Sequence, residues 1–161
     1  MKPWAALAFL AGFAQATAAV NSPAPAFTLP NTNHQARTLK TYKGRVVVID
    51  FWASWCAGCR LELPELDRLA GAYPQSVRVV AINVDTDRNA AEKLLAQLHI
   101  SPARVETLWD RHSKAVSAYD IASMPSSFIL DQHGVIRFAH TAYRAGDPLQ
   151  WRREINSLLK K

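Results

Sequence analysis

The most constraining feature of the sequence is a run of six residues, 46–51, that reads Val-Val-Val-Ile-Asp-Phe. A β-branched run without polar alternation is typical of a strand buried on both faces of a sheet. Such a strand needs other elements packed on each side. The run therefore predicts an α/β domain with this strand near the centre of its sheet.

The rest of the chain supplies elements of both kinds. Helical spacing of apolar residues predicts helices at residues 56–72, 88–98, 112–119 and 147–159. Strand patterns predict strands at 77–84 and 105–108, and β-hairpins from 27–29 with 37–39 and from 127–130 with 135–138. Asp147 is the expected N-cap of the last helix. The order predicts a mixed central sheet flanked by helices on both faces.

The N-terminus has the pattern of an export signal. Lys2 precedes an apolar stretch at residues 4–14, and small residues follow at 15–19. We expect residues 1–19 to be a signal peptide, 20–26 a linker and 27–161 the folded domain. Because the positive region is a single lysine, an uncleaved membrane anchor is the alternative, and only then would the protein be attached to a membrane.

The charge pattern disfavours one class of function. The formal net charge is +6, but the basic residues are scattered, and no basic cluster is interleaved with aromatic residues. Nucleic acid is therefore not an expected partner. A domain of this size can also bury a sufficient core without a disulfide or a metal, which leaves its cysteines free for chemistry.

The chain has two cysteines, and they form the segment Cys56-Ala57-Gly58-Cys59 between the buried strand and the first predicted helix. Unpaired backbone N–H groups and the helix dipole favour a thiolate at a helix start. We therefore expect Cys56 to be the exposed nucleophile. Cys59, one turn further on, is expected to be the resolving thiol.

Two other uses of the cysteine pair are less favoured. A fixed disulfide closing so short a loop would stabilise the fold by only about 2 kcal/mol. A metal site would need further ligands, and the five histidines show no ligand-like pairing with the cysteines. We therefore expect a redox-active disulfide, with no metal and no cofactor.

The active-site segment, residues 48–60, resembles that of the thioredoxin superfamily, and more narrowly that of the exported TlpA/ResA-like thiol–disulfide oxidoreductases. Supporting segments are residues 25–29, 62–64, 81–85 and 124–129. The resemblance implies a thioredoxin-like fold. The N-terminal hairpin, and a helix–strand insertion between Asp85 and Pro125, match the narrower group.

The resemblance also implies how a substrate is held. Pro125 corresponds to the superfamily's cis-proline, which faces the cysteine pair and holds an extended substrate. Trp55 and Met124 flank the cysteine pair and this proline, so we expect them to contribute to substrate binding.

Two carboxyl groups are the expected proton carriers. Asp50 ends the buried strand and resembles the buried aspartate of thioredoxins, which moves the proton of the resolving cysteine; its burial should raise its pKa. Glu62 matches the glutamate that TlpA/ResA-like proteins place beside their cysteines. Ala81 stands where thioredoxins carry a lysine that pairs with the aspartate, so the proton route is expected to differ here.

The function implied is disulfide reduction outside the cytoplasm. Exported proteins such as apocytochrome c would be the substrates, and a membrane thiol–disulfide protein would donate the electrons. Ala57 and Gly58 offer no side chain that stabilises the Cys56 thiolate, which favours a reductant. Two alternatives stay open: a thiol peroxidase of the peroxiredoxin type, which shares the style of residues 25–29, and a copper carrier.

Overall fold

The computed structural model describes residues 18–160. Nearly all of the predicted signal peptide, residues 1–17, therefore lies outside the described residues. Within residues 18–160, the helices are too short or too polar to cross a bilayer.

The centre of the fold is a five-stranded mixed sheet. In spatial order its strands are β5 (Val105–Trp109), β4 (Val77–Asn83), β3 (Val46–Trp52), β6 (Ser126–Leu130) and β7 (Ile136–Thr141). β3, β4 and β5 are parallel, whereas β6 runs antiparallel to both β3 and β7. All seven residues of β3 are buried, which confirms the prediction of a central strand covered on both faces.

Helices cover the two faces of this sheet. The described residues form α1 (Ala57–Ala72), α2 (Arg88–Gln97), α3 (Lys114–Ala118) and α4 (Asp147–Leu159). Helices α1, α2 and α4 share one apolar core with Val48 and Trp52 of β3. Helix α3 packs into the core on the opposite face, with Ile49 and Phe51. The predicted thioredoxin-like architecture is confirmed.

An antiparallel N-terminal hairpin packs on the α3 side. Its strands are β1 (Thr28–Pro30) and β2 (Ala36–Thr38), and a short 3-10 helix, Leu39–Tyr42, leads from it into β3. Leu29 is buried in the same core as Tyr42. The predicted hairpin is therefore present and contributes to the hydrophobic core.

A partly buried carboxylate links the hairpin to the sheet. Glu106 of β5 accepts hydrogen bonds from Arg37 at 2.7 Å, from the Tyr42 hydroxyl at 3.1 Å and from Arg78 at 3.2 Å. The Asn31 amide donates a fourth at 3.2 Å. These donors hold the pKa of Glu106 below its usual value, against the opposing effect of burial.

The predicted helix–strand insertion consists of α2 and β5, which extends the parallel part of the sheet at its edge. Arg104, just before β5, forms an ion pair with Asp67 of α1 at 2.6 Å. The backbone N–H of Ser101 donates to the same carboxylate at 3.0 Å. The insertion is thus tied to the helix that begins at the cysteine pair.

Two local details refine the sequence predictions. Helix α4 has the predicted bounds, but its N-cap is Gly146, so the expectation that Asp147 caps it is wrong. Asp147 lies in the first helical turn, and its carboxylate accepts a hydrogen bond from the backbone N–H of Arg144 at 2.7 Å. In the predicted linker, the Ala24 N–H donates to the Gly134 carbonyl at 2.9 Å. The boundary at residue 27 stays a prediction.

Candidate active site

The cysteine pair lies at the start of α1. Cys56 is the N-cap residue, and its Sγ accepts a hydrogen bond from the backbone N–H of Cys59 at 3.1 Å. The two cysteines are disulfide-bonded, with their Cα atoms 5.3 Å apart. In the reduced protein the same N–H group and the positive end of the helix dipole would face the Cys56 sulfur. Both favour its thiolate form.

The two cysteines differ in solvent exposure. Cys59 is fully buried, whereas Cys56 is 6% exposed. Cys56 is therefore the more accessible of the two, as predicted, but it is far more enclosed than an exposed nucleophile. The disulfide draws its Sγ toward buried Cys59, and Pro125 packs against the same first turn of α1 at Gly58.

Pro125 covers this turn from the loop before β6. The Met124–Pro125 peptide bond is cis, in agreement with the resemblance. The Pro125 carbonyl accepts a hydrogen bond from the Ala142 N–H at 2.9 Å, and the Ser126 hydroxyl donates to the Ser123 carbonyl at 2.7 Å. The first hydrogen bond holds the loop against the residue that follows β7, and the second lies within the loop. Met124 is half-buried against the core shared with α1.

The turn before Cys56 is anchored by a buried carboxylate. Asp85 accepts hydrogen bonds from the Ser54 N–H at 2.8 Å and the Ser54 hydroxyl at 3.0 Å. The Asn83 side-chain amide donates a third at 2.8 Å. Next along the chain, Trp55 is 71% exposed. The Asp85 contacts thus help position the turn that presents Trp55 and Cys56.

Sequence reasoning gave Asp85 no role, although a signal was present. Asp85 follows β4, and Ser54 follows β3, its parallel neighbour. The carboxyl ends of adjacent parallel strands meet at one edge of a sheet. A polar residue just after each strand could therefore have been predicted to form a contact.

Asp50 lies under α1 in the middle of the sheet. It is fully buried, and neither carboxyl oxygen has a hydrogen-bond partner within the described residues. Burial raises its pKa to about 8. Its register partners are Ala81 on β4 and Ser127 on β6, so Ala81 does stand beside the aspartate without supplying a cation.

Glu62 is the second buried acid of the site. It is 2% exposed, and its Oε2 atom has no hydrogen-bond partner among residues 18–160. Burial raises its pKa to about 10, with further contributions from the charges of Asp50 and Asp147 and an opposing effect of the Ser127 side chain. Asp50 and Glu62 therefore interact, and near neutral pH both hold protons.

The cysteine pair and the two acids share one side of the sheet. Asp50 alternates with Val48 and Trp52, which belong to the core covered by α1. Glu62 is three residues after Cys59, a spacing that puts both on one helix face. The arrangement can form and break a disulfide at Cys56 and can store a proton close to Cys59. Within the described residues, no group of three or more His, Cys, Asp or Glu side chains is arranged to hold a metal ion.

Comparison with known proteins gives one family match. The model of the AhpC/TSA family matches residues 20–139 of the chain. This range includes the hairpin, the cysteine pair, the insertion and Pro125.

Individual relatives and solved structures agree with this match. The chain is 30% identical over 127 residues to the thiol-disulfide oxidoreductase ResA of Geobacillus kaustophilus, covering 78% of this chain and 71% of ResA. It is 32% identical over 147 residues to the thiol:disulfide interchange protein DsbE of Pseudomonas aeruginosa, covering 90% of this chain and 78% of DsbE. The crystal structure of a candidate DsbE from Chlorobium tepidum superposes with a TM-score of 0.81 at 31% identity, covering 89% of this chain and 99% of that one.

Proposed function

The chain belongs to the AhpC/TSA family and is a thioredoxin-fold thiol–disulfide oxidoreductase, and from this premise we propose that it reduces disulfides of exported proteins outside the cytoplasm. The observation that carries the proposal is the position of the cysteine pair. Cys56 caps α1, while two protonated carboxyl groups are buried on the same side of the sheet as Cys59. This arrangement suits a dithiol that gives up two electrons and two protons.

The reaction proceeds by two exchanges. The Cys56 thiolate attacks one sulfur of the substrate disulfide, so that a Cys56–substrate disulfide forms and the other substrate sulfur leaves as a thiolate that takes up a proton. The Cys59 thiolate then attacks Cys56 Sγ and releases the second substrate thiol. The substrate is reduced, and Cys56 and Cys59 are oxidised to the disulfide. A dithiol donor restores the reduced protein by the reverse exchange.

Asp50 and Glu62 handle the proton of the buried thiol. Cys59 must lose its proton before it can attack, and burial in apolar surroundings disfavours its thiolate. An ionised Asp50 can accept this proton, since its pKa of about 8 leaves a minor ionised fraction near neutral pH. Glu62, with a pKa of about 10, keeps its own proton, because burial and the charges of Asp50 and Asp147 disfavour its ionised form.

Substrate and location extend the proposal further. Trp55, Met124 and Pro125 surround the cysteine pair and would hold an extended polypeptide such as an apocytochrome c segment. The signal pattern of residues 1–19 supports export to the periplasm. The electron donor there would be a membrane thiol–disulfide protein, as the resemblance to the TlpA/ResA-like group implies.

Two measurements test the proposed direction and route. The first is the reduction potential of the Cys56–Cys59 couple of residues 20–161, equilibrated against thiol buffers. A value near or below about −200 mV is expected for a reductant, whereas a value near about −120 mV would identify an oxidant. The second is trapping: Cys59→Ser should accumulate a mixed disulfide with a peptide substrate, and Cys56→Ser should not.

A thiol peroxidase is the second candidate, because residues 25–29 share their pattern with peroxiredoxins. The two cysteines here form one disulfide within a helical turn, which suits exchange with another disulfide. Peroxide consumption by the reduced protein in the presence of a dithiol separates the two functions. We expect no more consumption than the dithiol alone gives.

A further inference from the structure

A groove of about 380 Å³ lies beside the cysteine pair, on the side of α2. Ser54 and Trp55 form one wall of this α2-side groove, together with Arg60 of α1. The opposite wall is one face of α2, with Lys93 at its centre and Ala90 and Gln97 near the ends. These three α2 positions are three and four residues apart, so they lie along one stripe of the helix.

The charge of the α2-side groove is positive. Arg60 and Lys93 are both exposed, and within residues 18–160 neither has a carboxylate within ion-pair distance. The Arg60 guanidinium donates a hydrogen bond to the Ser54 carbonyl at 3.1 Å, which holds it beside the turn. Both cations therefore remain able to pair with a ligand.

The acidic residues on and just before α2 are already engaged. Asp85 is buried and accepts three hydrogen bonds from Ser54 and Asn83. Glu92, next to Lys93 in sequence, pairs with Arg88 at 2.7 Å. Asp87 caps α2 by accepting a hydrogen bond from the Asn89 N–H at 2.9 Å. None of them lines the groove.

The α2-side groove is also within reach of a polypeptide bound to Cys56. Trp55 precedes Cys56 directly, and Arg60 follows it by about one helical turn. An extended chain advances about 3.3 Å per residue, so side chains a few residues from a substrate cysteine can enter the groove. The exposed Trp55 ring gives such a segment an apolar surface to lie on.

We propose that the α2-side groove binds an acidic segment that flanks the disulfide-bonded cysteine of a polypeptide substrate. The inference rests on the proposed disulfide exchange at Cys56 and adds a substrate class to it. Asp or Glu side chains on the substrate pair with Arg60 and Lys93. Such contacts at the rim of an interface act mainly on the association rate and weaken as salt is added.

The test uses three synthetic peptides of equal length, each with one cysteine disulfide-bonded to 2-mercaptoethanol. They differ only in the residues flanking the cysteine, which are Asp-Asp, Ser-Ser or Lys-Lys. Second-order rate constants for oxidation of the reduced protein are measured by quenched flow. At about 20 mM ionic strength the Asp-Asp peptide should react about tenfold faster than the Lys-Lys peptide, and near 0.5 M salt this ratio should fall to about two.

The variant Lys93→Glu should lower the ratio at low salt at least about threefold, because one exposed cation becomes an anion. Arg152→Glu is the matched control. It makes the same change in net charge on the exposed face of α4, outside the groove, and should keep the wild-type ratio. The ratio is independent of any general change in cysteine reactivity, since both peptides meet the same thiolate.

Equal rates for the three peptides, or a ratio that Lys93→Glu leaves unchanged, would overturn the acidic preference alone. Disulfide exchange would then stand, with a groove that plays no part in it. If the reduced protein fails to react even with the Ser-Ser peptide, the proposed function fails and the groove inference fails with it.

Discussion

Gly58 and Pro125 touch across the active site. A Cβ atom added at Gly58 would lie 2.9 Å from Cδ of Pro125, closer than such atoms approach in proteins. Gly58 is in the first turn of α1, and Pro125 precedes β6. The absence of a side chain at Gly58 thus allows the substrate-binding loop to lie directly on the turn that carries the cysteine pair.

Gly58→Ala should therefore disturb both stability and exchange. The proline ring cannot yield as the end of a flexible side chain could, so the loop must move. We expect a loss of about 1–3 kcal/mol in the free energy of unfolding, and slower oxidation of the reduced protein by a peptide disulfide. Urea denaturation and single-turnover kinetics measure the two effects.

Gly146→Ala is the control for this substitution. Gly146 has a negative φ of −83°, and a Cβ there would meet no atom within 4 Å. Because alanine is a poorer N-cap than glycine, the free energy of unfolding should fall by at most about 1 kcal/mol, and the rate of oxidation by a peptide disulfide should stay at the wild-type value. Equal effects of the two alanines would contradict the Gly58–Pro125 contact.

The buried acids should make the oxidised protein less stable as the pH rises. Asp50 and Glu62 keep their protons to about pH 8 and about pH 10 in the folded state, whereas the unfolded chain loses them near pH 4. Between about pH 5 and 8 the folded state binds more protons. The free energy of unfolding should therefore fall with pH, by up to about 1.4 kcal/mol per unit for each acid.

The double variant Asp50→Asn/Glu62→Gln removes both titrations. Its free energy of unfolding, measured by urea denaturation across the same pH range, should fall less steeply than that of the wild type. Glu106 and Asp131 have lowered pKa values and titrate below this range, so they do not obscure the comparison. Parallel pH profiles for the two proteins would show that the buried acids are ionised when folded.

Asp50→Asn should change the pH profile of substrate release. With Asp50 as the base for Cys59, the rate of release from the mixed disulfide should rise about tenfold per unit up to about pH 8 and then level off. The variant should release substrate about 100-fold more slowly at pH 7, and its rate should continue to rise above pH 8 as Cys59 ionises unaided. Stopped-flow measurement of peptide release gives both profiles.

Glu62→Gln is the comparison for Asp50. Because the pKa of Glu62 is near 10, its carboxyl stays neutral over the measured range, and the level part of the profile should remain. If the plateau in the release rate disappears in Glu62→Gln but remains in Asp50→Asn, Glu62 rather than Asp50 is the base.

Glu106→Gln should loosen the N-terminal hairpin. A neutral amide cannot satisfy the donors from Arg37, Arg78, Asn31 and Tyr42 that meet at this carboxylate. We expect the Tm to fall by about 5 °C and the amides of β1 and β2 to exchange faster with deuterium. Glu65→Gln, which removes an exposed pair with Arg68 on α1, should leave the Tm unchanged. A similar Tm for both variants would refute a structural role for Glu106.

Much of the fold could be predicted from the sequence because its signals are local. The apolar run of β3, the helical spacing of α4 and the cysteine pair at the start of α1 depend on residues close together in the chain. Strand and helix periodicity express only which side chains share a face. The order of these elements along the chain was then enough to predict a mixed sheet covered by helices on both faces.

The details of the site depend on distances between residues far apart in the chain, and only the tertiary structure decides them. Cys56 proved nearly enclosed, and Pro125, 69 positions later by residue number, packs against Gly58 of the same helical turn. Asp85 reaches Ser54 only because β3 and β4 end side by side. The raised pKa of Asp50 likewise comes from burial, and that of Glu62 comes from burial and from the charges of Asp50 and Asp147. Residue type and spacing can indicate such chemistry, but the packing of the whole domain determines burial and distance.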